Sequence, residues 1–120
     1  RIRSTETGIE RAVFSHLRKR KIYFQKHYKN ITGRPDIAIP SKKKAVFING
    51  DFWHGYRFSR WESRIPKKYW RSKIYSNMTR DRKNYRTLRR KGWKVLAVWG
   101  HSVMKKPDGT FSRIENFLKN

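Results

Sequence analysis

Residues 33–50 read Gly-Arg-Pro-Asp-Ile-Ala-Ile-Pro-Ser-Lys-Lys-Lys-Ala-Val-Phe-Ile-Asn-Gly. Two apolar runs too short for helices, 37–39 and 45–48, flank a polar turn at 40–43 that opens on a proline, which predicts a hairpin with buried faces. Upstream, residues 6–20 carry Ile9, Ala12, Val13 and Leu17 at helical spacing. Thr5 or Thr7 is available as a cap, and basic residues gather at the far end where a helix dipole favours them. Residues 23–28 read as a strand. Downstream, 50–65 has aromatics without a steady period and reads as an ordered functional loop. Pro66 suits the first turn of a long helix that ends at Gly92. A strand at 95–99, a turn at 107–109 and an amphipathic helix at 111–118 close the chain. Helix, three strands, helix, strand, helix predicts an α/β fold, with a mixed central sheet flanked by helices.

A length of 120 residues suits one domain spanning 1–120 and is short for two. The chain opens on Arg1, with no signal-like segment and no run long enough to cross a bilayer. The expectation is a fragment of an intracellular protein, from the cytoplasm or nucleoid of a bacterial or phage-infected cell, with a separate DNA-binding module elsewhere. Cysteine is absent, which excludes disulfides, thiolate zinc sites and a cysteine nucleophile. Thirty-two Lys and Arg against eight Asp and Glu give a formal charge of +24, far beyond what solubility asks. Such a chain should bind a polyanion and release counterions as it does so. The basic residues are spread along the chain and no basic amphipathic helix stands apart from a core, which favours nucleic acid over a membrane surface.

With so few acids, each one's position is informative. The long helix has an apolar stripe at Trp70, Ile74, Met78, Tyr85 and Leu88, and Asp81 falls inside it. A carboxylate facing a core needs a cation, a metal-bound group or a histidine, so Asp81 is either a site residue or half of a structural salt bridge. Glu10 lies at the edge of the first helix's apolar face, where it could look over the sheet or pair with solvent and Arg11. Asp36 follows Pro35, which fixes its own φ and biases Arg34 to an extended conformation, presenting the acid at the lip of a strand. Pro-Asp is an ordinary turn as well. Combined with a Glu on a preceding helix and a second strand, however, it is a way to assemble hard oxygen ligands for Mg²⁺.

Residues 47–55, Phe-Ile-Asn-Gly-Asp-Phe-Trp-His-Gly, are the most unusual in the chain. A strand ends in a loop bearing an acid, two adjacent aromatics and a histidine. His54 suits a general base or a phosphate-steering group. Phe52 and Trp53 are core plugs or, over DNA, wedges between base pairs.

At these residues the chain resembles the Vsr mismatch-nicking endonucleases and the related EDxHD homing endonucleases, within the PD-(D/E)xK superfamily. Five ordered segments between residues 3 and 104 carry the resemblance: Thr7-Gly8-Ile9-Glu10, Gly33-Arg34-Pro35-Asp36, residues 46–54, residues 77–82, and Gly92-Trp93-Lys94-Val95-Leu96 leading to Val98-Trp99. It implies a restriction-endonuclease-like fold of Vsr type. It makes Asp36 the principal metal ligand with a backbone carbonyl around Ile48, His54 the general base or water-positioning group, Asp81 its orienting partner and Glu10 an outer-site carboxylate. Phe52 and Trp53 match the aromatics that enter the duplex. Asn49 stands in the site where the repair enzymes have a second histidine, and it cannot serve as acid or base. The family's structural zinc is not expected, because Asp51 replaces a zinc cysteine and the last strand leads to Gly100-His101. Asp51 and His101 could instead meet as an ion pair or weak metal site. Both departures favour the homing branch.

The expected function is therefore metal-dependent cleavage of double-stranded DNA by Mg²⁺, with Mn²⁺ a possible substitute, as the catalytic domain of a homing endonuclease. Arg34, Arg80, Arg82 and Lys83 are expected on the DNA backbone, together with Arg86, Arg89 and Arg90 on the same helix. Cutting both strands would require a homodimer or sequential turnover. A mismatch or very-short-patch repair nickase is the nearer alternative, and a non-catalytic basic nucleic-acid-binding module is the alternative from another class.

Overall fold

The computed structural model describes residues 8–50, 55–64 and 68–120. Along them run α1 (Gly8–Lys19), β1 (Gln25–Lys26), β2 (Ile37–Ile39), a 3-10 turn (Pro40–Lys42), β3 (Lys44–Asn49), α2 (Phe58–Trp61), a second 3-10 turn (Glu62–Arg64), α3 (Lys68–Arg90), β4 (Lys94–Trp99), α4 (Gly100–Lys105) and α5 (Pro107–Lys119). The sheet has the order β1-β2-β3-β4, antiparallel through β3 and parallel between β3 and β4. It is the mixed α/β sheet expected.

Alternation along β3 sorts the two faces. Val46 and Ile48 face a core built with Val13, Phe14 and Leu17 of α1, Ile37, Val98, and Ile114 and Leu118 of α5. Ala45 and Phe47 face Leu88 of α3, joined by Tyr85 and Trp93. β3 is therefore covered on both sides, and every one of its residues is buried.

The end of α3 has a local cause. Gly92 lies at φ +92°. Its N–H donates to the Arg89 carbonyl, and that of Trp93 to Leu88, each at 3.0 Å. This double bond pattern requires a left-handed residue, which glycine supplies without steric cost. The chain then enters β4 two residues later.

Lys42 and Lys44 close a helix. Lys44 Nζ donates to the Phe117 carbonyl at 2.6 Å, and Lys42 Nζ to those of Leu118 and Lys119 at 2.9 and 3.2 Å. Two ammonium groups thus satisfy the last carbonyls of α5, at the negative end of its dipole. At the other end of α1, Glu115 of α5 receives His16 at 3.1 Å and Arg20 at 2.9 Å, with Lys119 at 3.7 Å.

Four expectations change. The strand at 23–28 shrinks to Gln25–Lys26, because His27 turns left-handed at φ +50° and ends the ladder. The loop at 50–65 contains α2, whose Phe58 and Trp61 pack with Trp70, Ile74 and Met78 of α3 in a separate apolar cluster. Pro107 occupies the first turn of α5 instead of a free turn, a position where its missing N–H costs nothing. Arg34 is left-handed at φ +50°, not extended. Its N–H donates to the Ile31 carbonyl at 3.3 Å, and Tyr28 N–H holds the Pro35 carbonyl at 3.0 Å. Together these bonds override the preference of a pre-proline residue. Thr5, Thr7 and Pro66 lie outside the described residues.

Candidate active site

The site gathers where α1 begins, β2 begins and β3 ends. Asp36 is carried there by a tight turn whose third residue, Gly33, lies at φ +85°. A Cβ on Gly33 would come within 3.1 Å of the Phe47 ring and 3.3 Å of Asn84, so backbone conformation and packing both demand glycine. One Asp36 carboxylate oxygen accepts the Ile48 N–H at 2.6 Å. The N–H and C=O of a strand residue project to the same side, so the Ile48 carbonyl also opens toward Asp36.

Glu10, in the first turn of α1, is buried and reaches the same place. Its carboxylate lies 3.1 Å from His27 Nε2. One ligating atom each from Glu10, His27 and Asp36 lie within 4.8 Å of one another. Burial pushes the Asp36 carboxyl well above the usual carboxylate range, the hydrogen-bonded carboxyl of Glu10 raises it further, and the Ile48 N–H partly opposes the shift. Two carboxyls pressed together in a chain of charge +24 are an arrangement that a divalent cation would relieve.

Asn49, one residue on, is buried and donates its amide to the Tyr85 hydroxyl at 2.7 Å. The Tyr85 ring lies 4.8 Å from that of Phe47. Its hydroxyl is pushed up to about 12, chiefly by burial and also by the charges of Asp81 and Asp36, while the Asn49 bond opposes the shift. Asp81, half-buried on the stripe of α3, thus adjoins the site through Tyr85.

Of the residues singled out by sequence, the structure brings Glu10, Asp36 and Ile48 together and sets Asn49 and Asp81 beside them. His54, Phe52, Trp53 and Asp51 lie outside the described residues. His101 packs against Tyr56 with the rings tilted and centroids 4.3 Å apart, and Tyr56 also meets Trp99 at 5.1 Å. Arg34, Arg82 and Lys83 are exposed, as is Arg80, which donates to Asn77 Oδ1 at 2.8 Å. Sequence reasoning missed His27 and treated Tyr85 as core only. The register Lys26↔Ile37 continued one step sets His27 opposite Asp36, a pairing visible once residues 23–28 are folded back on 37–39.

The sequence profile of the family described as DNA mismatch endonuclease Vsr matches residues 1–60. The chain is similar to the type II nicking enzyme V.XorIIP of Xanthomonas oryzae pv. oryzae, 38% identical over 101 residues, covering 82% of this chain and 73% of that one. It is 37% identical over 109 residues to the type II nicking enzyme V.NmeAIP of Neisseria meningitidis, covering 88% and 76%. It is 30% identical over 99 residues to the DNA mismatch endonuclease Vsr of Escherichia coli, covering 82% and 64%. Against the six relatives matched, the chain spans between 57% and 76% of their length.

Proposed function

Because the chain belongs to the Vsr family of DNA mismatch endonucleases, we propose that it is a metal-dependent nickase that hydrolyses one strand of double-stranded DNA. The observation that carries the reading is the meeting of Glu10, His27 and Asp36 at the end of the sheet. Matched relatives named for nicking or mismatch cleavage favour this over the homing endonuclease expected from Asn49 and Asp51. A single site suffices for one strand, so no homodimer is required.

Asp36 and the Ile48 carbonyl would hold the divalent cation, Mg²⁺ or Mn²⁺, and Glu10 would close the site from α1. The donors fit such an ion: the two carboxyls already abut, and their mutual repulsion is what an added positive charge would cancel. When bound, the ion supplies positive charge against the scissile phosphate. His54 takes the proton of a water attacking phosphorus in line, Asp81 orients His54, and the P–O3′ bond breaks to leave 5′-phosphate and 3′-hydroxyl ends. Asn49 moves no proton and holds α3 against the end of β3 through Tyr85. Phe52 and Trp53 enter the duplex, and Arg34, Arg80, Arg82 and Lys83 hold its phosphates.

Supercoiled plasmid and a mismatched duplex, incubated with wild type and Asp36→Ala in Mg²⁺ and in EDTA, test the reading beside a binding measurement at matched salt. Open-circular plasmid and a single cut strand, lost in Asp36→Ala and in EDTA while binding persists, are expected. Linear product from the first turnover would restore the homing-type reading. Binding without cleavage in Mg²⁺ or Mn²⁺ would leave a nucleic-acid-binding module.

A further inference from the structure

We propose that His27 is a third side-chain ligand of this metal site, and that its imidazole makes the site favour a first-row transition-metal dication such as Mn²⁺ over Mg²⁺. The inference rests on the metal-dependent reading above and adds a ligand and a preference to it.

Three observations support it. His27 Nε2 stands 3.1 Å from a Glu10 carboxylate oxygen. Neighbouring ligands on an octahedral ion with bonds of about 2.1–2.2 Å are separated by about 3.0–3.1 Å, so the pair already has the spacing of two adjacent ligands. The third donor, on Asp36, lies within 4.8 Å of both, so a small inward movement of its side chain completes the set. Next, the backbone of His27 is left-handed, φ +50°, an uncommon conformation for a non-glycine residue. Its N–H donates to the Asp36 carbonyl at 2.9 Å, so the bend that ends β1 is tied directly to the residue beside which the imidazole must stand. Such conformations persist where surrounding structure holds them, often at functional sites. Finally, the ring is set edge-on against Phe14, with centroids 5.6 Å apart, while its side chain stays 23% exposed. The apolar wall orients the imidazole, and part of the side chain stays accessible to solvent.

The chemical consequence follows from the donor set. Mg²⁺ is a hard ion that keeps oxygen ligands and waters, whereas imidazole nitrogen adds affinity for first-row transition metals, a series in which Mn²⁺ is the weakest binder and also takes oxygen ligands. Two carboxylates and one imidazole form a mixed nitrogen and oxygen site. The competing account is that His27 only pairs with Glu10 to pin β1 to α1.

Mn²⁺ binding, followed by loss of the free-ion electron paramagnetic resonance signal and by competition with Mg²⁺, separates the two in wild type, His27→Asn, His27→Ala and Asp36→Ala. Asparagine tolerates the left-handed backbone, so His27→Asn keeps the fold accessible, which circular dichroism checks. The expected result is a loss of Mn²⁺ affinity by about tenfold or more in both His27 variants. Mg²⁺ affinity should change far less, and a coordinated-nitrogen modulation in the spin echo of wild type should vanish in His27→Asn. An unchanged Mn²⁺-to-Mg²⁺ ratio, or nitrogen modulation that survives in His27→Asn, overturns the proposal while loss of metal in Asp36→Ala still upholds the metal site. Retention of metal by Asp36→Ala, or no binding by wild type, overturns both.

Discussion

The Ile48 backbone N–H and the Asp36 carboxylate meet across 2.6 Å, so the acid that precedes β2 is fastened to the end of β3. The bond holds one oxygen, while burial and then the hydrogen-bonded Glu10 carboxyl push the Asp36 proton affinity up. Without metal, the folded state therefore retains a proton that the unfolded chain releases near pH 3.8. A raised acid pKa means that stability present at low pH is lost progressively as pH climbs above the unfolded value toward the raised one.

Asp36→Asn should remove this loss. The amide oxygen still accepts the Ile48 N–H, and no charge faces Glu10. In EDTA the variant should melt above wild type at pH 7.5, by roughly 2–6 °C, and the gap should close toward pH 4. Nicking should be abolished. A variant that melts below wild type at every pH would show that the carboxylate is not held at a cost.

Glu115 should behave in the opposite sense. Bonds from His16, then Arg20, hold its carboxyl below the ordinary glutamate value of 4.5. Its contribution is present above that value and lost as pH falls through the lowered one. Glu115→Gln should therefore lower the melting temperature at pH 7 and flatten the acid limb of the stability curve. Equal pH profiles for variant and wild type would mean that the contact between α1 and α5 does not depend on its charge.

The hairpin, the final strand, the two long helices and the places of Glu10, Asp36 and Asp81 were legible from apolar period, turn residues and the scarcity of acids, whereas Ile48 was singled out only by the family resemblance. His27 was not, because its role depends on a register across a nine-residue separation and on a left-handed backbone that overrides local preference. Nor was α2. Its four residues are too few to show a period, and they are held by Trp70 and Ile74 from another segment. Asn49, read as the relic of a missing histidine, has a structural partner that sequence separation concealed: Tyr85, thirty-six residues away.

Tyr85→Phe tests that partnership. The ring keeps its place against Phe47, but the buried Asn49 amide loses its acceptor. Removing one half of such a pair costs about 1–3 kcal/mol, which urea denaturation at constant m-value would register. In the Asn49→Ala background the same change should cost much less, since the stranded donor is gone. Equal costs in both backgrounds would show that the hydroxyl acts elsewhere.

The charge on α3 makes a last prediction, about DNA. Arg82 and Lys83 are exposed beside Asp81, at the part of the helix that adjoins the site, whereas Lys42 spends its ammonium on the end of α5. A phosphate contact reveals itself as a counterion released, so each one lost should reduce the slope of log affinity against log salt by about 0.9. Fluorescence anisotropy of a labelled duplex in EDTA, from about 50 to 200 mM salt, should show that reduction in Arg82→Ala and Lys83→Ala, and no change in Lys42→Ala. If all three variants shift the slope alike, the field of the whole +24 chain governs binding, and α3 has no privileged place against the backbone.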